Sequence, residues 1–315
     1  MAGELSFREG SVSDLETTFG LGERAIQESA VRQGVITPEE ALSDESIHED
    51  WLKQRSIVEF IASQPGGRYV IVENGEGVVG YARMVHFDGM EELTELMVQP
   101  ELQGHGIGRQ LLEMVWPGDP TPDLGRAVVA TGQASDLSLY TGFGVMPVAG
   151  HWHMRTRAEE YLALRAQEND TTDPGVHALK ADRAVAEWKR LEPAAIAHWR
   201  DPLHEFFGRD RTCLATIDGS GDATSLCWVS SDGDIGPAVA RSPGEIVPVV
   251  LAALDRVAMT QEPRHLSVYT STLSWWLLRR LRTLGFSVYW PSWVLCSVPL
   301  PGLDRYMPTR PPHLL

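Results

Sequence analysis

The chain has 315 residues, of which 43% are hydrophobic, and its formal net charge is −16 at pH 7. This length predicts two domains of ordinary size, and the acidic balance argues against nonspecific nucleic-acid binding, which depends on basic patches. No apolar run of about 18 residues occurs, so we predict no membrane span. The start of the chain lacks the basic and apolar regions of a signal peptide.

The cysteines are few, widely spaced and odd in number: Cys213, Cys227 and Cys296. This usage is typical of a reducing compartment and of neither a disulfide framework nor a zinc site. We therefore expect a cytoplasmic protein without a metal centre.

The first 90 residues predict a strand, two helices and a hairpin. Alternating residues indicate the opening strand, and apolar residues at helical spacing indicate the two helices. Asn74-Gly75 between two apolar runs is a strong hairpin signal. The expected ranges are 5–9 for the strand, 15–31 and 37–61 for the helices, and 68–72 and 77–85 for the hairpin.

A glycine-rich turn follows the next predicted strand, at 93–98. Pro100 cannot donate a backbone hydrogen bond, so the strand is expected to end there. Gly104, Gly106 and Gly108 then precede residues at helical spacing. Such a turn leaves several N–H groups unpaired at the positive end of a helix dipole, so it predicts an anion site, most simply for phosphate.

The spacing of the turn narrows the ligand. A dinucleotide fold needs G-x-G-x-x-G and a Walker loop ends in Gly-Lys-Ser/Thr, whereas this turn is G-x-G-x-G. The sequence Gln-Gly-His-Gly-Ile-Gly at 103–108, after a strand ending in Val-Gln-Pro, resembles the pyrophosphate loop of the GNAT N-acetyltransferase superfamily. The resemblance implies acetyl-CoA as cosubstrate. The residues it implies as contacts are Met97, Val98, Gln103, Gly104, His105, Gly106, Ile107, Gly108, Arg109 and Gln133.

A second segment carries the same resemblance. Family members often have Leu-Tyr-x-x-x-Gly-Phe, and here Tyr140 and Gly144 take the tyrosine and glycine places, with Val145 for phenylalanine. The resemblance implies that Tyr140 protonates the departing CoA thiolate, a task that a phenol can perform. The alternative is that Tyr140 is a packing aromatic residue on an amphipathic helix.

Acyl transfer to an amine also needs a base. Glu92 is preferred because several relatives place a glutamate at this position, and Glu95 is the other candidate. Alternation places Glu92 and Val98 on one strand face and Glu95 on the other, unless a bulge intervenes. Either group could instead be a solvated carboxylate, and a base acting through water remains open.

Three predicted elements complete the first half. They are a strand at 126–130, a helix at 136–140 and a strand pair within 145–154. His151 and His153 alternate on the last of these, which places both imidazoles on one face. A metal site would need a third ligand that no spacing supplies.

The second half repeats the first weakly, with 280–295 parallel to 139–154. We therefore predict an α/β (α+β) protein of two tandem GNAT-like domains, each a mixed, mostly antiparallel sheet flanked by helices. The expected domains are 1–157, catalytic, and 176–315, degenerate, joined by a linker at 158–175.

The second copy is expected to bind no CoA. Where the first copy has its three glycines, the second has Arg-Ser-Pro-Gly-Glu at 241–245, with one glycine and a proline that lacks an N–H. Leu281 occupies the place of Tyr140. The second domain is therefore expected to be structural.

Together these features predict an acetyl-CoA-dependent N-acetyltransferase that acts on a small-molecule or peptide amine by direct attack. The alternatives are a non-catalytic acyl-CoA sensor or scaffold and an acyltransferase with a longer acyl chain. We expect neither nucleic acid nor membrane as a partner, and a homodimer stays open.

Overall fold

The computed structural model describes residues 4–131, 133–168, 175–309 and 314–315. The elements of the first half are β1 (Ser6–Glu9), α1 (Leu15–Arg32), α2 (Asp44–Ala62), β2 (Arg68–Asn74), β3 (Gly77–Phe87), β4 (Met90–Val98), α3 (Ile107–Val115), β5 (Gly125–Thr131), α4 (Ala134–Thr141), β6 (Met146–Arg157) and α5 (Ala158–Ala166).

The elements of the second half are β7 (Val176–Leu179), α6 (Ala181–Leu191), α7 (Pro193–Ile196), α8 (Asp201–Phe207), β8 (Thr212–Ile217), β9 (Ala223–Val229), β10 (Ile235–Ala240), α9 (Ile246–Gln261), β11 (His265–Ser271), α10 (Trp275–Thr283), β12 (Ser287–Cys296) and β13 (Tyr306–Met307). Contacts divide the chain into two compact units. The first unit comprises Met1–His86, Met90–Arg126 and Thr141–Gly144, and the second comprises Phe87–Gly89, Ala127–Tyr140 and Val145–Leu315.

The first unit is built on strands in the order β1-β2-β3-β4. The hairpin predicted at Asn74-Gly75 is confirmed, because the Asn74 side-chain oxygen accepts hydrogen bonds from the N–H groups of Glu76 and Gly77 and closes the turn between β2 and β3. Helix α1 packs on β4, and α3 packs on β2 and β4. Tyr69 on β2 contacts α1, whereas its neighbour Arg68 reaches the end of α3, so the two helices cover opposite faces.

The second unit contains two sheets. One has the order β5-β12-β6-β11 and the other β13-β10-β9-β8-β7. The apolar helix α9 packs against β8, β9 and β10, and its buried side chains belong to the core of this unit. This mixed architecture confirms the predicted fold class.

The strand pair predicted within 145–154 is wrong. This segment is one strand, β6, and its neighbours are β12 and β11 from the second half of the chain. Strand β12, which belongs to the second repeat, lies between β5 and β6. It therefore occupies the place where the sequence predicted another strand of the first repeat. Any antiparallel strand can satisfy the hydrogen bonds of β6, and the sequence pattern of β6 does not say which one does.

The predicted linker at 158–175 begins with a helix, α5, and its residues 169–174 lie outside the described residues. The division into 1–157 and 176–315 follows the order of the repeats along the chain and stays a prediction. Among the described residues, none of the helices has the length and apolar character needed to cross a bilayer.

Candidate active site

The glycine-rich turn lies in the first unit, between β4 and α3. Gly104 has φ +81° and Gly106, which precedes the first residue of α3, has φ +84°. A Cβ atom added at either position would meet nothing within 4 Å. The turn therefore presents bare backbone to open space, a shape that suits an anion which approaches the main chain closely.

The backbone N–H groups at the start of α3 point along its axis without partners in the helix. The first intrahelical bond at this end runs from the Gln110 N–H to the Gly106 carbonyl, at 3.1 Å. The N–H groups of residues 107–109 therefore precede the hydrogen-bonded ladder. The His105 ring nitrogen Nδ1 lies 3.0 Å from the Gln103 carbonyl and 3.2 Å from that of Leu102, which braces the turn.

Two further residues that the resemblance singles out, Arg109 and Gly144, also lie in the first unit. The Arg109 guanidinium lies 5.8 Å from the centre of the Phe143 ring. Gly144 has φ +82°, and a Cβ there would lie 2.9 Å from Pro120, so both conformation and space require glycine. This explains the glycine of the Tyr-x-x-x-Gly pattern physically.

The main chain of Val98 faces away from β3. The Gln99 N–H donates to the Val79 carbonyl across β3 and β4 at 2.8 Å, so the N–H and C=O of the preceding residue point to the other edge. The Val98 carbonyl accepts a hydrogen bond from the Gln103 side chain at 3.1 Å. A ligand that used this carbonyl would compete with Gln103.

Both candidate bases on β4 are buried, Glu92 at 2% and Glu95 at 5% exposure. The Glu95 oxygen Oε2 lies 2.9 Å from the Thr94 hydroxyl and 3.5 Å from Nε of Arg83, which faces α1 with Tyr69. Arg83 was not predicted from the sequence, because an arginine within a strand normally faces solvent.

Simple alternation does not assign the face of Glu92. Glu91 pairs with Arg68, on the α3 face, and with Arg126. Glu95 pairs with Arg83 on the α1 face. In a regular strand, residues four apart share a face, so Glu95 would lie on the α3 face with Glu91. The alternation is therefore interrupted between Glu91 and Glu95. Because of this interruption, counting alternate residues back from Val98 does not give the face of Glu92.

Tyr140 lies in the second unit, on α4, and is 8% exposed. Burial raises the pKa of its phenol above the ordinary value, and the charge of Asp136 raises it further. The phenol therefore holds its proton and can donate it. Gln133 accepts hydrogen bonds at its carbonyl from the N–H groups of Asp136 and Leu137, which begins α4.

Side chains at the corresponding turn of the second repeat pair with one another and with Asp218. Arg241 pairs with Asp218 and Glu245, and the Ser242 hydroxyl donates to Glu245 at 2.7 Å. A carboxylate thus lies at the start of α9, where it repels a phosphate. Leu281, in the place of the tyrosine, is fully buried in α10.

A polar cluster in the second unit joins strands from both halves of the chain. The Ser292 hydroxyl on β12 lies 3.1 Å from Nδ1 of His151 and 3.0 Å from Nε2 of His153, both on β6. The two imidazoles share a face as predicted, with ring centres 5.2 Å apart. Ser292 was missed because it joins them only through the strand exchange. Within the described part of the chain, no group of three or more His, Cys, Asp or Glu side chains is arranged to hold a metal.

Comparison with known proteins gives one match to a family model. Residues 65–144 match the family model described as an acetyltransferase (GNAT) domain. None of the curated proteins matches the chain in sequence.

Solved structures match over nearly the whole length. A protein from Pyrococcus horikoshii, described as a candidate acetyltransferase, is 15% identical with TM-score 0.66, and the match covers 96% of this chain and 92% of that one. A tandem GNAT protein from the clavulanic acid biosynthesis pathway is 16% identical with TM-score 0.58, covering 94% and 99%. A GCN5-related N-acetyltransferase from Sphaerobacter thermophilus is 16% identical with TM-score 0.51, covering 93% and 95%. At these identities the likeness concerns the fold.

Residues 65–144 therefore match a GNAT acetyltransferase domain, and the fold of the chain is that of a tandem GNAT protein. Both findings bear out the resemblance that the glycine turn and the weak internal repeat indicated.

Proposed function

We propose that this protein is an acetyl-CoA-dependent N-acetyltransferase whose chemistry resides in the first repeat. The observation that carries the proposal is the turn before α3. Two left-handed glycines, Gly104 and Gly106, leave open space beside N–H groups that precede the hydrogen-bonded ladder of α3. The proposed acetyl-CoA contacts are those named from the family resemblance, at 97–98, 103–109 and 133.

The proposed reaction is direct attack. The acceptor nitrogen bonds to the thioester carbonyl carbon, the carbon–sulfur bond breaks, and the departing thiolate takes a proton from Tyr140. The acceptor loses its protons to a carboxylate of β4, Glu92 or Glu95, or to water held there. The buried, protonated phenol of Tyr140 supports its role as acid.

The second repeat is proposed to bind no CoA. Its turn is occupied by the ion pairs of Arg241 and by the Glu245 carboxylate, and its tyrosine place holds leucine. Loss of both features removes the anion site and the acid together.

The proposal is tested by two measurements on the full chain. Titration calorimetry with acetyl-CoA should show one site per chain, and thiol release should appear with at least one member of a panel of small amines and peptides. Binding without thiol release for any amine would favour an acyl-CoA sensor. Absence of binding would overturn the proposal. The same assay with longer acyl-CoA esters identifies the acyl donor.

A further inference from the structure

A group of charged and aromatic side chains lies between α1, α2 and the strands β2 to β4 of the first unit. We name it the Arg83 cluster. Its members are Thr18, Glu23, Asp50, Tyr69, Tyr81, Arg83 and Glu95.

Arg83 is fully buried, yet its guanidinium is poorly satisfied. Among the described residues, its nitrogens Nε, Nη1 and Nη2 have no hydrogen-bond partner, and a carboxylate oxygen of Glu95 lies 3.5 Å from Nε. A guanidinium carries five N–H donors, and leaving buried donors without acceptors is costly. Such a group in a native protein calls for an acceptor, such as an anionic ligand.

The surroundings hold the guanidinium in place. It lies 4.8 Å from the ring centre of Tyr69 and 5.8 Å from that of Tyr81. The Tyr69 hydroxyl is 2.7 Å from the Thr18 hydroxyl on α1. A Cβ at Gly22 would lie 2.6 Å from the Tyr81 hydroxyl, so α1 approaches the sheet closely at this point. The rings and the helix together prevent Arg83 from turning to solvent.

Carboxylates outnumber the arginine in the same cluster. Glu95 is buried on β4, and Glu23 is half-buried on α1, one residue after Gly22. Burial, together with the charges of Asp50 on α2 and Glu95, raises the pKa of Glu23 to about 7. One buried cation beside several acids is the complement of a ligand that carries an ammonium close to a carboxylate.

We propose that the Arg83 cluster is the acceptor subsite of the acetyltransferase and that the acceptor is an amine bearing a carboxylate, such as an amino acid. The Arg83 guanidinium binds the acceptor carboxylate, in the paired geometry that guanidinium and carboxylate favour. Glu23 and Glu95 hold the ammonium. This inference rests on the proposed function and deepens it by naming the class of acceptor.

The first test compares matched acceptors in the thiol-release assay at saturating acetyl-CoA. Each pair consists of an amino acid and the amine that lacks its carboxylate, for example lysine and cadaverine or phenylalanine and phenethylamine, together with the methyl ester. A binding site built around a charged donor discriminates against ligands that lack the matching acceptor group. We therefore expect kcat/KM to be about 100-fold or more higher for the free acid than for the matched amine. Equal turnover of acids and amines overturns the inference and leaves the proposed function intact.

Variants then assign the discrimination to the cluster. Arg83→Met should remove the preference for the carboxylate, and Arg83→Lys should keep part of it, while the Kd for acetyl-CoA stays unchanged. The control is Arg126→Lys. Arg126 is also buried in this unit, but it is held by Glu91 and by the carbonyls of Pro117 and Gly118, so its replacement should not change the preference.

A second variant keeps the inference testable if the Arg83 variants do not fold. Glu23→Gln retains size on a half-buried helix position, and it should raise KM for the amino acid about tenfold, the loss of one charge-assisted hydrogen bond. An ammonium that binds beside Glu23 lowers the pKa of this carboxyl, so wild-type binding near pH 7 should release protons. Calorimetry in buffers of different ionisation enthalpy measures this release, and Glu23→Gln should abolish it.

A binding measurement tests the inference even if the protein turns over no amine in the assay. If acetyl-CoA binds but no amine is turned over, amino acids titrated in the presence of CoA must still bind wild type more tightly than Arg83→Met. Failure of every amino acid in the panel to bind would overturn the inference, whereas failure of acetyl-CoA to bind would overturn the proposed function.

Discussion

At the scale of single residues, the conformations of two glycines and the burial of one tyrosine define the candidate site. Gly104 and Gly106 adopt positive φ values that side chains rarely tolerate, with open space where a side chain would project. Tyr140 is buried and keeps its proton. The sequence motif predicted both roles, because glycine spacing and a tyrosine four residues before glycine are local features.

Gly106→Ala should weaken acetyl-CoA binding about tenfold or more, since a methyl group blocks hydrogen bonds from the turn to a charged phosphate. The matched control is Gly34→Ala, at φ +68° with equally open surroundings. Both variants should lose about 1–2 kcal/mol of folding free energy from the left-handed conformation. Calorimetry and urea unfolding provide the two measurements, and equal acetyl-CoA affinity in the two variants would contradict the phosphate role.

Tyr140→Phe should lower kcat by about 100-fold or more, because the thiolate loses its general acid, and leave the Kd for acetyl-CoA nearly unchanged. Tyr161→Phe serves as control. Tyr161 is also a buried tyrosine of the second unit, with its hydroxyl 2.6 Å from Asp255, so its loss should affect stability rather than turnover. A Tyr140→Phe enzyme with unchanged kcat would remove this residue from the mechanism.

At the scale of elements, the exchange of strands is the feature that local pattern did not reveal. Strand β6 lies between β12 and β11 and pairs His151 with Ser292 and Ser271. If the Ser292 hydroxyl donates to the His151 carbonyl, 3.0 Å away, both imidazoles must donate to its oxygen. Burial favours the neutral form of His151, whose proton then lies on Nδ1, and its Nε2 has no hydrogen-bond partner in the described structure.

Buried His151 predicts a loss of stability in mild acid. Burial lowers the pKa of His151 to about 3, whereas the unfolded chain has a histidine pKa of about 6.5. Between these values the unfolded state binds more protons, so the free energy of unfolding falls as the pH falls, by up to about 1.4 kcal/mol per pH unit.

Urea unfolding at several pH values between 7 and 4.5 measures this dependence. His151→Asn keeps a donor for Ser292 and removes the titrating group, so its curve should be less steep than that of wild type. His177→Asn, at an exposed position on β7, should follow wild type. Parallel curves for wild type and His151→Asn would contradict the assignment.

At the scale of the whole molecule, strands of the first repeat pair with strands of the second. Residues 127–131 of β5 pair with β12, and β6 pairs with both β12 and β11. The first repeat therefore depends on strands that follow it by more than a hundred residues in the chain. We therefore expect that the chain cannot be divided into two stable fragments near 158–175.

A fragment ending at residue 168 should fail to fold stably, because β5 and β6 lose the strands that satisfy their backbone groups and would expose unpaired edges. We expect aggregation, or loss of cooperative thermal unfolding, in comparison with the full chain. Mixing in a fragment that begins at residue 169 should restore a folded complex if the exchange is the cause. A stable, cooperatively unfolding first fragment would contradict this account.

The local elements followed from sequence, since hydrophobic period, Asn74-Gly75 and the glycine turn act within a few residues. Three features did not. The first is the interruption on β4 between Glu91 and Glu95, which no residue type marks. The second is Arg83, a polar residue on a buried strand. The third is Glu23, which lies in the middle of an amphipathic helix. Each depends on what packs opposite, which periodicity does not encode.

The sequence by itself determined the resemblance to GNAT proteins, the repeated order of elements and the turn that is proposed to bind acetyl-CoA. Conformation at that turn depends on glycine and proline at short range. Only the tertiary structure decided that β12 inserts beside β5, that Ser292 joins two histidines, and that Arg83 is buried without sufficient partners. These depend on contacts between residues far apart in the chain, where many strands have compatible hydrogen-bonding edges and only packing of the whole molecule selects one.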